Sequence, residues 1–262
     1  VQAISLVINR IIDNNIIYYF KPMILLIDAD SLIFASCYRA KNDVNYELYP
    51  DNFYYDIEDS INKFNEQYMK IVNDLEELYT IENIVTFNGS KGNFRKQLNT
   101  SYKANRKKQV LPPLLHPMHQ YVKDNYNSKY CYGMETDDLV ARYWKTLSEE
   151  IGRNEVMIVS IDKDYKQFPC LIYNYHHKHK VILDISQSEA LYNFYEQMIV
   201  GDTADNVNFF KGKGKKFAEK YFVNCRTKYQ YTKKMYELFI KEYKGKAKLR
   251  YIECFNLLKL RT

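Results

Sequence analysis

The chain has 262 residues, 46% of them hydrophobic and 27% charged, which is the composition of a globular protein with a buried core rather than of a disordered chain. Lysine and arginine number 38 against 32 acidic residues, and the resulting net charge of +6 permits polyanion binding without establishing it. The five cysteines are scattered and form no C-x-x-C pair, which argues against a zinc site or a disulfide framework and indicates reduced, buried thiols of a cytoplasmic protein.

The first 22 residues lack the features of a secretory signal, because Arg10 and Asp13 interrupt the apolar stretch that precedes residue 23. The same interruptions leave no run of the length that a membrane span requires. We treat residues 1–22 as an N-terminal extension to which the sequence assigns no role. An additional helix and the product of an upstream start codon both stay open.

Three short apolar runs, at residues 23–27, 84–87 and 156–161, predict strands that are buried on both faces. Between them, apolar residues recur at helical spacing over residues 57–78, and a second helix is predicted over about residues 136–152. Alternating strands and helices are typical of a central, mostly parallel sheet with helices on both faces. The sequence therefore predicts an α/β fold.

Two strand-like runs, at residues 171–175 and 181–185, predict an edge hairpin, and the chain changes character after residue 185. Ser186 and Glu189 form an S-x-x-E capping box, which typically begins a helix, and the pattern stays helical to the end. We therefore expect an α/β domain over residues 23–185 and an all-α region over residues 186–262.

Acidic residues follow two of the predicted strands in the pattern D-x-D, as Asp28 with Asp30 and as Asp162 with Asp164. In open α/β sheets, ligands bind outside the carboxyl ends of the strands. A single aspartate at such a point is usually a turn or cap residue, but two equivalent pairs favour a binding site. The remaining predicted strand ends at Asn88.

More acidic residues lie elsewhere in the chain. Glu135, Asp137 and Asp138 precede an apolar helix, where acidic groups can simply complement the helix dipole, and Asp202 and Asp205 lie in a predicted turn. Clustered carboxylates repel one another unless a cation compensates them. An all-oxygen ligand set selects hard cations such as Mg²⁺ or Mn²⁺, and two such ions can promote phosphodiester hydrolysis. These residues therefore predict a metal-dependent phosphodiesterase.

Several motifs stand in the order found in the 5′→3′ exonuclease and flap endonuclease superfamily, which the chain resembles over about residues 23–222. They are L-I-D at 26–28, Y-K-A-N-R at 102–106, E-T-D-D at 135–138, S-I-D-K-D at 160–164 and G-D-T-A-D-N at 201–206. The resemblance is to the bacteriophage branch, related to the N-terminal nuclease domain of bacterial DNA polymerase I. It implies a PIN-like α/β fold and hydrolysis at the 5′ ends or flaps of branched DNA, or of RNA–DNA primers.

The resemblance also implies roles for individual residues. Lys103 and Arg106 would steady the scissile phosphate as catalytic residues, together with Asp28 and Asp162, and Tyr102 would stack on a base. Two ions of Mg²⁺ or Mn²⁺ would be held by Asp28, Glu135, Asp137, Asp138, Asp162, Asp164, Asp202 and Asp205, with Asn88 and Asp30 as further candidates.

Residues 89–130 or so would correspond to the arch that lies over the active site in this family. Their basic residues are interleaved with aromatic ones, which suits phosphate contacts and base stacking, although a solvated basic loop is the alternative. The nucleic-acid contacts expected here are Lys91, Arg95, Lys96, Tyr102, Lys103, Arg106, Lys107 and Lys108.

A second binding element is expected at about residues 199–222, which resemble the helix-hairpin-helix of the family. Its glycines would let the backbone approach a duplex phosphate, and the resemblance adds a K⁺ ion at this hairpin. Lys213 stands where relatives usually carry an apolar residue. The expected contacts are Gly212, Lys213, Gly214, Lys215 and Lys216.

Asn88 departs from the family, which usually has an aspartate at this point, and the missing charge predicts weaker occupancy of one metal site. Two alternatives to the nuclease therefore stay open: a catalytically silent module that binds branched DNA, and a ribonuclease of related fold that cuts single-stranded RNA. For the nuclease we expect a monomer in the cytoplasm of a bacterial host, without membrane contact. Its expected partners are flapped, nicked or primed DNA or an RNA–DNA hybrid, and a polymerase or single-strand-binding protein.

Overall fold

The computed structural model describes residues 12–13, 16–17, 21–41, 43, 51–108, 110–176, 178 and 180–262. The strands of these parts are β1 (Ile12–Asp13), β2 (Ile16–Ile17), β3 (Lys21–Asp28), β4 (Tyr79–Lys91), β5 (Ser128–Tyr132), β6 (Val156–Val159), β7 (Leu171–Asn174) and β8 (Val181–Asp184). The helices are α1 (Asp30–Ser36), α2 (Ile57–Glu76), α3 (Phe94–Leu98), α4 (Leu115–Asn125), α5 (Thr136–Ile151), α6 (Gln187–Val200), α7 (Lys215–Phe222), α8 (Lys228–Tyr243) and α9 (Ala247–Leu258). Short 3₁₀ helices lie at Ala104–Lys108, Arg153–Glu155, Lys163–Gln167 and Lys244–Lys246.

A six-stranded sheet forms the centre of the fold, in the order β5-β4-β3-β6-β7-β8. All neighbouring strands are parallel except the edge pair β7 and β8, which is antiparallel. The predicted mostly parallel sheet and its edge hairpin are therefore confirmed. Strands β1 and β2 pair with each other in a separate antiparallel ribbon. The alternatives considered for residues 1–22 otherwise lie outside the described residues.

Helices cover both faces of the sheet because the side chains of the central strand β3 alternate between two cores. Leu25 packs into one core with Phe64 of α2 and Met118 of α4. Leu26 packs into the other core with Val140 of α5. A strand buried on both faces needs a continuous apolar sequence, and this is why residues 23–27 were recognisable.

Helices α6 to α9 build a third core beside the sheet. The first of them begins as predicted, since the Ser186 hydroxyl accepts from the backbone N–H of Glu189 and the Glu189 carboxylate accepts from that of Ser186. Tyr102, from the segment between β4 and α4, also packs into this core. The base of the segment is therefore anchored on the helical region.

Three details of the sequence prediction are wrong. Strand β4 continues to Lys91, so it does not end at Asn88, and β6 already ends at Val159. Helix α4 and strand β5 were not predicted, and both belong to the sheet and its cover. Because α4 and β5 occupy its second half, the predicted arch segment is shorter than expected. Its residues from Ser90 to Arg106 border a cleft at the carboxyl end of the sheet.

All five cysteines are buried and free, which confirms the prediction of unpaired thiols. Within the described residues, no helix is both long and apolar enough to cross a membrane.

Candidate metal centre

A cleft of about 550 Å³ opens at the carboxyl end of the parallel strands. It brings together all of the predicted metal ligands except Asp138 and Asn88. Its acidic residues are Asp28, Asp30, Glu135, Asp137, Asp162, Asp164, Asp202 and Asp205, and its basic residues are Lys96, Lys103, Arg106 and Lys163.

The strand ends position the first of these carboxylates. Asp28 is the last residue of β3, and its Oδ2 accepts a hydrogen bond of 2.8 Å from the buried hydroxyl of Tyr165. Asp30 begins α1 and accepts from the Gly89 backbone N–H at 2.7 Å and from the Thr136 hydroxyl at 2.8 Å. These bonds fix both side chains before any ligand arrives.

The middle of the cleft is formed by Asp137, Asp162 and Asp164. Each offers one carboxylate oxygen, and the three oxygens lie within 4.8 Å of one another. Asp162 caps the 3₁₀ helix that follows it by accepting from the backbone N–H of Asp164 at 2.9 Å. Asp164 in turn accepts from the Gln197 side chain at 2.8 Å.

The electrostatics of these carboxylates favour the binding of a cation. Burial, and then the neighbouring Asp30, raise the pKa of Asp28 to about 7. Burial, and then Asp162, raise the pKa of Asp164 to about 7, and burial with Glu135 raises the pKa of Asp137 well above its ordinary value. A divalent cation would remove this repulsion, so the all-oxygen set fits a hard metal ion.

The loop after α6 supplies the remaining carboxylates. Gly201 adopts a φ of 77°, and a Cβ at this position would lie 2.2 Å from the carbonyl oxygen of Val207. The loop is closed by two backbone hydrogen bonds of 2.8 Å between Asp202 and Val207. Only glycine therefore fits the turn that brings Asp202 and Asp205 to the cleft.

Lys163 holds one of these carboxylates, a role that was not predicted from the sequence. Its Nζ lies 2.8 Å from Oδ2 of Asp202. Burial of Asp202 opposes its ionisation, but the Lys163 contact and the backbone N–H groups of Asp205 and Ala204 together outweigh it and lower the pKa of Asp202. The D-K-D pattern at residues 162–164 could have indicated this ion pair, because a lysine between two cleft carboxylates lies close to other acidic groups.

Lys103 and Arg106 both reach the cleft, as the resemblance implied. The Lys103 ammonium pairs with Glu135 and lies 3.6 Å from Asp205, and the Arg106 guanidinium lies 2.9 Å from Asp205. The Lys103 backbone N–H also donates to the Asp205 carbonyl, which attaches this segment to the loop after α6.

Tyr102 has a different place from the one expected. Its side chain is only 3% exposed, and its hydroxyl lies 2.7 Å from Glu135 and 2.6 Å from Asp205. The prediction that its ring stacks on a nucleic-acid base is therefore corrected, because the ring is packed in the helical core. The hydroxyl instead links two carboxylates of the cleft.

Arg95 and Asp138 form a buried ion pair beneath the cleft. The guanidinium, 1% exposed, donates to both carboxylate oxygens of Asp138 at 2.6 and 2.8 Å, and to Glu135 at 3.1 Å. It also donates to the carbonyls of Leu257 and Lys259. Arg95 is thus a clamp and not the predicted nucleic-acid contact, and the engaged oxygens of Asp138 speak against its predicted role as a metal ligand.

Asn88 is 1% exposed and has both ends of its amide engaged within the fold. Its Nδ2 donates to the His119 carbonyl at 2.7 Å, and its Oδ1 accepts from the Ser128 hydroxyl at 2.7 Å. The amide serves to join β4 to α4 and β5. This geometry speaks against the metal contact that was predicted for it.

The other predicted nucleic-acid contacts lie in two places. Lys91 and Lys96 are exposed near the cleft, whereas the side chains of Lys107 and Lys108 fall outside the described part of the structure. At the second place, the turn with Gly212 and Gly214 precedes α7, and Lys215 and Lys216 are exposed at the start of that helix. Lys213 pairs instead with Glu242 at 3.3 Å and is only 24% exposed.

The fold and the acidic cleft define a PIN-like nuclease. The sequence profile of the family described as 5′-3′ exonuclease, N-terminal resolvase-like domain, matches residues 23–193. This is more than half of the chain, and the protein belongs to this family, which confirms the resemblance drawn from the motifs.

Solved structures share the fold. A bacteriophage T5 flap endonuclease variant, in a pseudo-enzyme–product complex with DNA and metal ions, is 14% identical and superposes with a TM-score of 0.58 over 89% of this chain and 88% of that one. The T5 5′-exonuclease with bound zinc ions is 16% identical, with a TM-score of 0.58 and the same coverage of 89% and 88%. At these identities the likeness shows the fold alone. No curated protein matches the sequence significantly.

Proposed function

We propose that this nuclease is a divalent-metal-dependent 5′→3′ exonuclease and flap endonuclease. Its substrates would be the 5′ ends or flaps of branched DNA, or RNA–DNA primers, during replication or repair. The observation that carries the proposal is the cleft itself, where eight carboxylates lie beside four cationic side chains at the carboxyl end of the sheet. In such a cleft, metal cations can bind to the acidic groups and phosphate groups can bind to the basic ones.

Two metal positions are consistent with the arrangement of the carboxylates. Asp137, Asp162 and Asp164 would hold one Mg²⁺ or Mn²⁺ ion, and Asp202 and Asp205 would help to hold the other. When bound, such ions would lower the pKa of an attacking water and stabilise the departing oxygen. Attack at phosphorus with loss of the 3′ oxygen would leave a 5′-phosphate on the product.

Lys103 and Arg106 would bind the scissile phosphate. In the free protein both pair with Glu135 or Asp205, which also belong to the proposed metal-binding set. If a cation takes these carboxylates, the two side chains are released toward a phosphate that enters the cleft. The planar guanidinium of Arg106 can then donate two parallel hydrogen bonds to phosphate oxygens.

The turn before α7 would bind the duplex beside the cleft. Its exposed Lys215 and Lys216 lie at a helix start, where backbone N–H groups and basic side chains can bind a phosphate together. The pattern resembles a helix-hairpin-helix, and a K⁺ ion would bind at its glycine turn. A duplex-binding element of this kind favours branched DNA over single-stranded RNA as the substrate.

The alternative of a silent DNA-binding module depended on Asn88. This side chain does not line the cleft, and its amide is used to join β4 to its neighbours. The missing aspartate therefore leaves the central trio of carboxylates intact. Cleavage is therefore the better supported function. The proposal also includes a monomer in the host cytoplasm, with a polymerase or a single-strand-binding protein as its partner.

The test is cleavage of a 5′-flap substrate in Mg²⁺ or Mn²⁺ by the wild type and by Asp162→Ala, with Asp124→Ala as an exposed control outside the cleft. We expect Asp162→Ala to lose activity by about a hundredfold or more, since it removes a central ligand, while the control stays active. Equal cleavage by Asp162→Ala would refute the metal assignment. Tight flap binding without product would support the silent module, and preference for unpaired RNA would support the ribonuclease.

A further inference from the structure

A second cavity, of about 540 Å³, lies between α5, α6, α9 and the 3₁₀ helix Lys163–Gln167. It shares no lining residue with the acidic cleft. We call it the aromatic pocket and define it by the aromatic residues Trp144, Phe168, Phe194, Tyr195 and Phe255 and the lysines Lys145, Lys228 and Lys259. Ala190 and Leu191 add to its apolar wall.

Lys259 shows that the pocket is suited to an anion. Its Nζ lies 4.9 Å from the ring centroids of both Phe168 and Phe194, in cation–π geometry. Burial, and then the nearby Lys228, lower the pKa of Lys259 to about 8. Two ammonium groups thus approach each other at one cavity, which is unfavourable unless a negative charge joins them.

The protein itself supplies little negative charge here. In the part of the chain that the structure describes, no carboxylate forms an ion pair with Lys145, Lys228 or Lys259. Arg153 is already engaged by Asp184 and two carbonyls, and among the described residues that line the pocket Glu149 is the one with an acidic side chain. The pocket therefore combines an apolar interior with lysines that have no acidic partner among the described residues.

We propose that the aromatic pocket is a docking site for an acidic peptide segment of a partner protein. An apolar side chain of the segment packs against Leu191 and Phe255, which are the half-buried apolar residues of the wall, and its carboxylates pair with Lys145, Lys228 and Lys259. The volume is in the range of pockets that enclose a small ligand or a few residues of peptide. This site goes beyond the proposed nuclease function, and it binds its peptide whether or not the cleft cuts DNA.

A nucleic acid fits the pocket less well. Base stacking needs an open aromatic face, but Phe168 and Phe194 are each only 4% exposed and Lys259 lies over both rings. A duplex or single strand also needs a row of cations along its backbone. The pocket offers instead a small group of lysines around an apolar centre, which suits a short acidic segment with an apolar end.

The pocket carries its own reporter, because Trp144 is the only tryptophan in the sequence. The experiment titrates the full chain with a synthetic peptide of four aspartates followed by leucine and phenylalanine, and follows tryptophan emission under excitation that spares tyrosine. Anisotropy of the same peptide carrying a fluorophore gives an independent binding curve. We expect saturable binding in both measurements that weakens with added salt.

Charge reversal tests the assignment to this pocket. The double variant Lys145→Glu/Lys228→Glu is expected to weaken binding by about tenfold or more, and a peptide with asparagines in place of aspartates should show a similar loss. Lys248→Glu, an exposed lysine on α9 away from the pocket, should bind as the wild type does. Flap cleavage by the double variant should be unchanged, which shows that its fold is intact.

Three results would overturn the proposal. These are no saturable binding by either measurement, equal affinity for the asparagine peptide, and full binding by the double variant. Tighter binding of a single-stranded oligonucleotide than of the acidic peptide, with loss of that binding in the double variant, would assign the pocket to nucleic acid instead.

Discussion

Replacing Tyr102 by phenylalanine separates the two roles that have been considered for this residue. The substitution keeps an aromatic ring that is able to stack and removes only the hydroxyl that lies between Glu135 and Asp205. A hydroxyl has one proton to donate, so the change deletes one charge-assisted hydrogen bond, which contributes about 1.5–3 kcal/mol. If this energy serves to place the two carboxylates, cleavage should fall by about ten- to a hundredfold.

The assay is flap cleavage in Mg²⁺, combined with thermal unfolding in the absence of metal. A chain of this size loses about 2–4 °C in Tm per kcal/mol, so we expect Tyr102→Phe to lower the Tm by about 3–12 °C. Tyr229→Phe is the matched control, because Tyr229 is 73% exposed. Cleavage by Tyr102→Phe at the wild-type rate, with an unchanged Tm, would refute the bridging role of the hydroxyl.

Three further predictions concern the clamp, the loop after α6 and the pH dependence. Arg95→Met should lower the free energy of unfolding in urea by about 3–5 kcal/mol, because it leaves a buried carboxylate unpaired, whereas Lys96→Met should leave it unchanged and weaken only DNA binding. Gly201→Ala should lower the free energy of unfolding by about 2 kcal/mol or more and reduce cleavage, because its Cβ would meet a carbonyl oxygen at a positive φ. Gly245→Ala is the control, because a Cβ at that position has no neighbour within 4 Å. Because the pKa values of Asp28 and Asp164 are raised from 3.8 to about 7 in the folded protein, the stability that they contribute without metal is present at low pH and is lost as pH rises toward about 7. The Tm measured in a chelator should show this decline with rising pH. Added Mg²⁺ should restore the Tm above pH 7 and have little effect near pH 5. A Tm that does not change with pH would contradict the raised pKa values.

The sequence predicted the sheet and most of the acidic cleft because both leave local signals. A strand buried on both faces must be continuously apolar, and aspartates directly after two such strands must meet at the same edge of a parallel sheet. The capping box at Ser186 is equally local, since its two hydrogen bonds join residues three positions apart.

The features that were missed depend on contacts between distant parts of the chain. Nothing local indicates that Arg95 meets Asp138 and the carbonyls of Leu257 and Lys259, because a basic residue in a basic segment has the pattern of a surface group. Tyr102 was assigned to stacking for the same reason, and its burial follows only from the packing of α6 to α9 around it. Strand β5 is short and at the sheet edge, with only one buried residue, so it lacks a continuous apolar run.

The central claim is that the carboxylates of the cleft hold divalent cations, and anomalous diffraction from crystals soaked in Mn²⁺ tests it most directly. A peak is predicted in contact with Asp137, Asp162 and Asp164, with the Lys103 ammonium moved away from Glu135. Crystals of Asp162→Ala should lose that peak. Ordered density for the cleft without any manganese peak, and with Lys103 still paired to Glu135, would contradict the claim.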